Sequence, residues 1–364
     1  MRQGSRNLFI CIMKKSTSAS EVLAHKYADI FVEMFDRIPD SPQDPFLTPS
    51  PYPQQNMSGH VYSGRNGFIT SMVASSKGYE FPIWMTFHQL KTVGLSVNPG
   101  EHSVPIAIYR YTLYEKETGK KSDLSEEDYR NLSPEEKKKY EVKCFLRPPW
   151  HVFNLSQTNF KEKMPQQYEE LMTRIHGQRE NIVSEELVDR LVSSDSWLCP
   201  VRVNENFVQP YYSIDKDHIV SPPKEAFMDN SAYYSSMLYM LSQSTFHPDR
   251  AEHSINESSM RLSSQLSSAM LCSLLGIKSR IDHDNLSYLK KWSSEISSDP
   301  MVIYKAVNDA SRSTDKVSRV LGIGIRKGVD IQGIFAEADK MLEEAKDMKK
   351  SKPQNQEIKV KLKR

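Results

Sequence analysis

Cysteine is scarce. Only 4 occur in 364 residues, Cys11, Cys144, Cys199 and Cys272. They lie far apart with no C-x-x-C pair, which excludes a disulfide scaffold and a cysteine zinc site and fits a reducing, cytoplasmic compartment. An excess of one charge is also missing, because 48 Lys+Arg face 46 Asp+Glu for a formal net charge of +2. Bulk attraction to a polyanion is excluded, and only local basic patches remain open to nucleic acid. No apolar run approaches the roughly 18 residues that cross a bilayer, so no membrane partner is expected. The short run Leu8 to Met13 follows Arg2 and Arg6, but Lys14-Lys15 stands where a signal peptide would carry its small-residue cleavage site. Residues 1–17 therefore read as an N-terminal extension, with Met13-Lys14-Lys15 as the natural start. There is no G-x-x-x-x-G-K-[ST] and no G-x-S-x-G, and Gly322-x-Gly324 lacks the strand-turn-helix context of a phosphate cradle.

What is present is enough for two domains. The length exceeds the usual 100–200 residues of one domain, and 38% hydrophobic with 10% aromatic residues supplies a packed if lean core. Ser18 and Glu21 form a capping box ahead of a helix over 18–38, with Leu23, Tyr27, Ile30, Phe31, Met34, Phe35 and Ile38 at helical spacing. Pro39 stops it, and five further prolines to Pro53 keep the following stretch extended. A turn at Tyr62 to Asn66 leads into a helix from Phe68. A short helix carries Gln89 to Lys91, and Val104 to Tyr111 reads as a strand. Residues 115–143 are charge-dense and poor in apolar side chains, an excursion built as a long hairpin or a solvated helix. Trp150 to Leu155 is a second strand, and the polar stretch 161–183 reads as a linker. Helices are expected over 231–244, 256–275, 284–296, 300–321 and 330–346. The tail 346–364 carries eight basic against two acidic residues and reads as a disordered basic arm.

Certain residues carry a resemblance. Asn56, Gly59, Tyr62, Gly64 and Asn66 are followed by Pro82, Trp84, Thr86, Phe87 and Gln89. Gly94, Val97, Gly100 and Glu101 come next, then Val152, Phe153, Asn154 and Gln157. In order and spacing this resembles the N-terminal domain of the ArdC-type antirestriction proteins of plasmids, phages and conjugative elements. The resemblance implies single-stranded DNA binding. Candidate base-stacking and phosphate contacts are Tyr62, Arg65, Asn66, Trp84, Lys91, Tyr109 and Arg110. The plainer reading places Trp84, Phe68 and Phe87 in the core and has Asn66 and Gln89 only capping turns.

Residues 200–320 resemble the second domain of the same family, a zincin-like metallopeptidase. That family places H-E-x-x-H on one helix and a further glutamate on the next. Two imidazoles at i and i+4 grip zinc while the intervening glutamate activates its water. Here Tyr233-Tyr234 is kept, but the H-E-x-x-H positions read Tyr239, Met240, Leu241, Ser242 and Gln243. The third ligand position falls on Gln265, with Arg261 one turn earlier. No metal, no cofactor and no catalytic residue is expected from such a set. His247, Asp249, Glu252 and His253, and Asp282 to Asp284 around His283, offer ligand types without the i, i+4 histidine spacing.

The resulting expectation is an α+β protein. A mixed α/β domain over 18–160 binds single-stranded DNA, and a mostly helical, degenerate zincin-like domain spans 184–345. An antirestriction or DNA-transfer accessory role follows from the resemblance. The alternatives are a protein-interaction inhibitor or decoy that meets a host or mobile-element protein partner without nucleic acid, and an active peptidase with a rearranged site.

Overall fold

The computed structural model describes residues 18–36, 47–177, 186–193, 197–253, 255–323 and 327–335. The N-terminal extension, the prolines from 39 to 45, part of the expected linker and the basic tail lie outside the described residues.

The first helix, α1 (Ala19–Phe35), begins at the predicted capping box: Ser18 Oγ accepts from the Glu21 N–H, and the Glu21 carboxylate accepts from the Ser18 N–H. Its apolar stripe, Leu23, Tyr27, Phe31, Met34 and Phe35, is buried. After β1 (Gln55–Asn56), α2 (Gly64–Ser76) starts four residues earlier than the apolar pattern indicated. The turn before it is tight enough that a Cβ on Gly67 would stand 2.6 Å from the Tyr62 carbonyl oxygen, a place only glycine fits. Then β2 (Ile83–Thr86) runs directly into α3 (Phe87–Thr92), because Thr86 and Gln89 cap each other's backbone.

The charged excursion is a hairpin. It is flanked by β3 (Val104–Glu115) and β4 (Tyr140–Asn154), with the short capped helices α4 (Glu126–Asn131) and α5 (Pro134–Lys137) between them. The strands pair from Val104↔Val152 out to Glu115↔Tyr140, so both are longer than the two predicted segments. The sheet order is β1-β2-β4-β3, parallel only between β1 and β2.

The expected linker is helical where described, in α6 (Phe160–Lys163) and α7 (Pro165–Gly177). Overall polarity hid a three-residue stripe, Tyr168, Leu171 and Ile175, spaced to share one helical face and buried against Phe81 and Phe160. Next come α8 (Glu186–Ser193) and a small sheet of β5 (Val201–Val203), β6 (Tyr211–Ser213) and β7 (His218–Ser221) in the order β5-β7-β6. The helices α9 (Asn230–Ser244), α10 (Glu257–Leu274), α11 (Leu289–Ser298) and α12 (Met301–Leu321) complete the second half. The element expected over 284–296 is split into a 3-10 turn, His283–Tyr288, and α11. Residues 332–335 form a turn rather than the start of a helix, and 336–346 lie outside the described residues.

The two halves share one core. Tyr27, Phe31, Phe68, Trp84 and Val104 from the first half pack in a single buried cluster with Leu262, Leu266, Trp292, Ile303 and Val307 from the second. The chain end also returns: Gln55 Nε2 donates to the Val329 carbonyl at 2.9 Å, and Arg174 Nη1 donates to the carbonyls of Asp330 and Gln332. Leu266→Ala, which empties a fully buried position on this seam, is expected to cost about 2–5 kcal/mol. Urea unfolding followed by tryptophan fluorescence and by far-ultraviolet circular dichroism should shift together in one transition, and separate midpoints for the two probes would show that the halves unfold independently.

Candidate functional site

Two regions concentrate the candidate residues. The first is the β3–β4 ribbon and the α2 end beneath it. Trp84 is fully buried, and its indole N–H donates to Gln54 Oε1 at 2.7 Å. It is a core residue with no face open to a base. Asn66 repairs a bulge: β3 slips register against β4 between Ile106 and Ile108, and the Asn66 amide both accepts from the Ala107 N–H and donates to its carbonyl, each at 2.8 Å. Arg65 is committed to α12, with Nε 2.5 Å from Asn308 Oδ1 and the guanidinium 4.2 Å over the Tyr304 ring. Tyr62 is half-buried, and burial pushes its hydroxyl up to about 12. These four side chains build the platform rather than its outer face.

Lys91, Tyr109 and Arg110 are exposed. Lys91 lies 5.1 Å over the exposed Phe87 ring. Tyr109 sits where the ribbon leaves the core; partial burial raises its hydroxyl, and the nearby Arg65 guanidinium opposes that rise. Beyond it the ribbon exposes Tyr111 (57%) and Phe145 (46%), and nearer the core, opposite Ile106, it exposes Trp150 (57%). A cleft of about 680 Å³ is lined by Tyr109, Arg110, Tyr111, Arg147 and Trp150. Phe145, Arg147 and Trp150 were absent from the sequence-derived set. The pairing of Arg110 with Phe145, which sets one cation beside one ring, became visible only with the strand register.

The second region lies between α9 and α10. Tyr239 and Gln243 share one face of α9, and Gln243 Nε2 donates to the Tyr239 hydroxyl at 2.9 Å. The Tyr239 hydroxyl and Arg261 Nη1 both donate to Asn285 Oδ1 at 3.4 Å. Asn285 Nδ2 donates to Gln265 Oε1 at 2.9 Å, which also accepts from the Asp282 N–H, while Gln265 Nε2 donates to the Arg280 carbonyl. Burial pushes the Tyr239 hydroxyl well above the usual phenol range, so it stays a neutral donor. Met240 turns the other way, into the apolar cluster around Tyr233, Leu238 and Leu271. Asn285, the hub, was not foreseen; it follows an acidic turn and carries no periodicity that marks it.

The other ligand types are dispersed in pairs. His247 Nδ1 stands 3.6 Å from Asp249, His253 Nε2 3.3 Å from Asp309, and Arg312 2.6 Å from Glu252. Among the described residues, no group of three His, Cys, Asp or Glu is placed to hold a metal ion, and no helix is long and apolar enough to cross a membrane.

Comparison with known proteins matches both regions. Residues 32–147 fit the N-terminal domain of anti-restriction factor ArdC, and residues 198–309 fit a zincin-like metallopeptidase. The chain belongs to the ArdC-like family. The crystal structure of the antirestriction protein ArdC from plasmid R388, metal-free, superimposes with a TM-score of 0.56 at 20% identity, over 84% of this chain and 99% of that one. Its Mn(II)-bound form gives 0.54 at 19% identity over the same shares. DNA primase TraC of Escherichia coli is 23% identical over 76% of this chain but 25% of its own length, so the ArdC-like chain spans about a quarter of that relative. Uncharacterized protein y4eC of Sinorhizobium fredii is 23% identical over 71% of this chain and 78% of its own.

The zincin-like half implies a divalent metal, and the donors of this ArdC-like chain do not fit one. A phenol held protonated, two amides and a guanidinium stand where anionic and imidazole ligands are needed. Combining Tyr239→His, Met240→Glu and Gln243→His is expected to bring no stoichiometric zinc, as read by elemental analysis of the purified variant, because Gln265 and Arg261 still occupy the third side. The same variant should melt earlier, since the new carboxylate replaces a side chain only 3% exposed. Gln265→Met strands the Asn285 amide and the Asp282 N–H, at about 1–3 kcal/mol for each orphaned group; chemical denaturation measures it.

Proposed function

We propose that this ArdC-like chain binds single-stranded DNA along the β3–β4 ribbon, and that its zincin-like half serves as a catalytically inert scaffold. The carrying observation is the exposed interleaving of rings and guanidinium groups: Tyr109, Tyr111 and Trp150 line one cleft with Arg110 and Arg147, and Phe145 is the cross-strand partner of Arg110. Rings supply stacking faces for any base, and the cations meet phosphates. Such a patch needs no bulk positive charge, in keeping with a net charge of +2. The inert scaffold is supported by the closed amide and phenol network, whose members satisfy one another without leaving a buried charge to be neutralised. The relative's description as an antirestriction protein and the partial likeness to a DNA primase favour a role in the defence or transfer of mobile DNA.

A second reading rests on a different cleft. About 410 Å³ lies beside Tyr239, with Val208 and Met228 exposed at its edge, a surface for a protein partner instead of nucleic acid. Fluorescence anisotropy with a labelled oligonucleotide separates the readings. The chain is expected to bind at low salt with an affinity that falls as salt rises. Arg110→Ala with Arg147→Ala should flatten the salt slope by about 0.7 for each lost phosphate contact. Trp150→Ala should weaken binding by about 1–3 kcal/mol at every salt concentration. Absence of binding at low salt favours the protein partner. Chelator-sensitive cleavage of casein by zinc-loaded protein would overturn the inert scaffold.

A further inference from the structure

The insertion within the hairpin has no part in the ribbon cleft. The Ser122 N–H donates to the Leu113 carbonyl at 2.8 Å and Lys121 bridges Tyr114, so the chain returns along the outer edge of β3. Then α4 sets Tyr129 edge-on to Tyr140, with ring centroids 6.1 Å apart. This return encloses a second cleft of about 570 Å³ against the ribbon. Leu113 and Val142 supply apolar lining, and Tyr111 and Tyr129 supply rings. Arg110 and Lys121 also line it, beside the carboxylate of Asp123.

Arg110 and Lys121 together favour an anion, and two phenol rings over apolar side chains favour a flat ring. A nucleotide joins both in one molecule, and the volume lies within the roughly 300–1,000 Å³ of small-ligand sites. The two clefts share Arg110 and Tyr111. A strand lying across Trp150 and Tyr109 therefore reaches the second cleft without leaving the protein surface.

We infer that the insertion forms a pocket for one nucleotide of a bound single strand, its base against Tyr111 and Tyr129 and its phosphate at Lys121 and Arg110. The inference rests on the proposed binding of single-stranded DNA. It makes the charged insertion a clamp at the end of the ribbon.

The test uses the intact chain, a fluorescein-labelled twelve-residue oligothymidylate and a Lys121→Ala/Tyr129→Leu variant. Lys121 is exposed, and leucine keeps an apolar contact with Tyr140 while removing the ring. The variant is expected to bind roughly tenfold or more weakly, the loss typical of one stacked base and one phosphate contact. Independently of folding, an oligonucleotide carrying 5-iodouracil should, after irradiation, leave its crosslink on the peptide holding Tyr111 or Tyr129. Oligonucleotide binding that is equal in the variant, with crosslinks only at Trp150 or Phe145, overturns the pocket and leaves the ribbon reading standing. Thymidine 5′-monophosphate bound by the intact chain and lost in the variant, without oligonucleotide binding, overturns the strand as the ligand's source. Binding of neither probe overturns both readings.

Discussion

The apolar seam between α1, α2 and the first sheet on one side and α10, α11 and α12 on the other holds the remaining elements in place. Phe31, Phe68 and Trp84 bury their rings in one cluster with side chains about two hundred residues away, Leu266, Trp292 and Ile303 among them. At about 25 cal/mol for each Å² of apolar surface removed from water, a cluster of that size dominates any single polar contact in the molecule. The seam also sets the functional geometry. Arg65 is pinned to α12 through Asn308 and Tyr304, which anchors the start of α2, and Asn66 on that helix holds the bulge from which the ribbon projects.

The region between α9 and α10 shows how a buried polar cluster is held together by its own side chains. A metal site tolerates concentrated negative charge only because the cation cancels it. With amides and a phenol at these positions instead, the helices hold their places only if the buried polar atoms find partners inside. Tyr239, Gln243, Gln265 and Asn285 do this as donors and acceptors of one another and of nearby backbone groups. Arg261 contributes one bond to Asn285 while its charge is met by Glu257 at the helix surface, at 2.9 Å. Met240 has no such need, since a thioether packs among apolar neighbours.

The ribbon obeys the opposite logic. Its rings and guanidinium groups lie outside the core, where they gain little stability, and a long two-stranded extension is marginal by itself. Its stability is drawn from the anchored base and from the insertion that returns along its outer edge. Exposed aromatic surface of this kind is costly to leave in water without a ligand, which is why it points to an interaction.

Local chemistry determined a good deal from sequence. The capping box at Ser18, the stripe of α1 and the boundaries of α9, α10 and α12 could be read directly, because each depends on residues within a turn or two of one another. The positions of Tyr239, Gln243, Gln265 and Arg261 around one point were also legible, through helical spacing and family resemblance together. Tertiary structure alone decided the rest. Trp84 and Arg110 both sit in aromatic or basic stretches, yet one is sealed under α2 and the other stands in solvent, and no local pattern distinguishes them. Asn285 became the hub, and 161–177 became helix instead of linker, because surfaces distant in sequence came to cover them. Burial and cross-strand register arise from such long-range contacts, so residues within one turn of each other do not encode them.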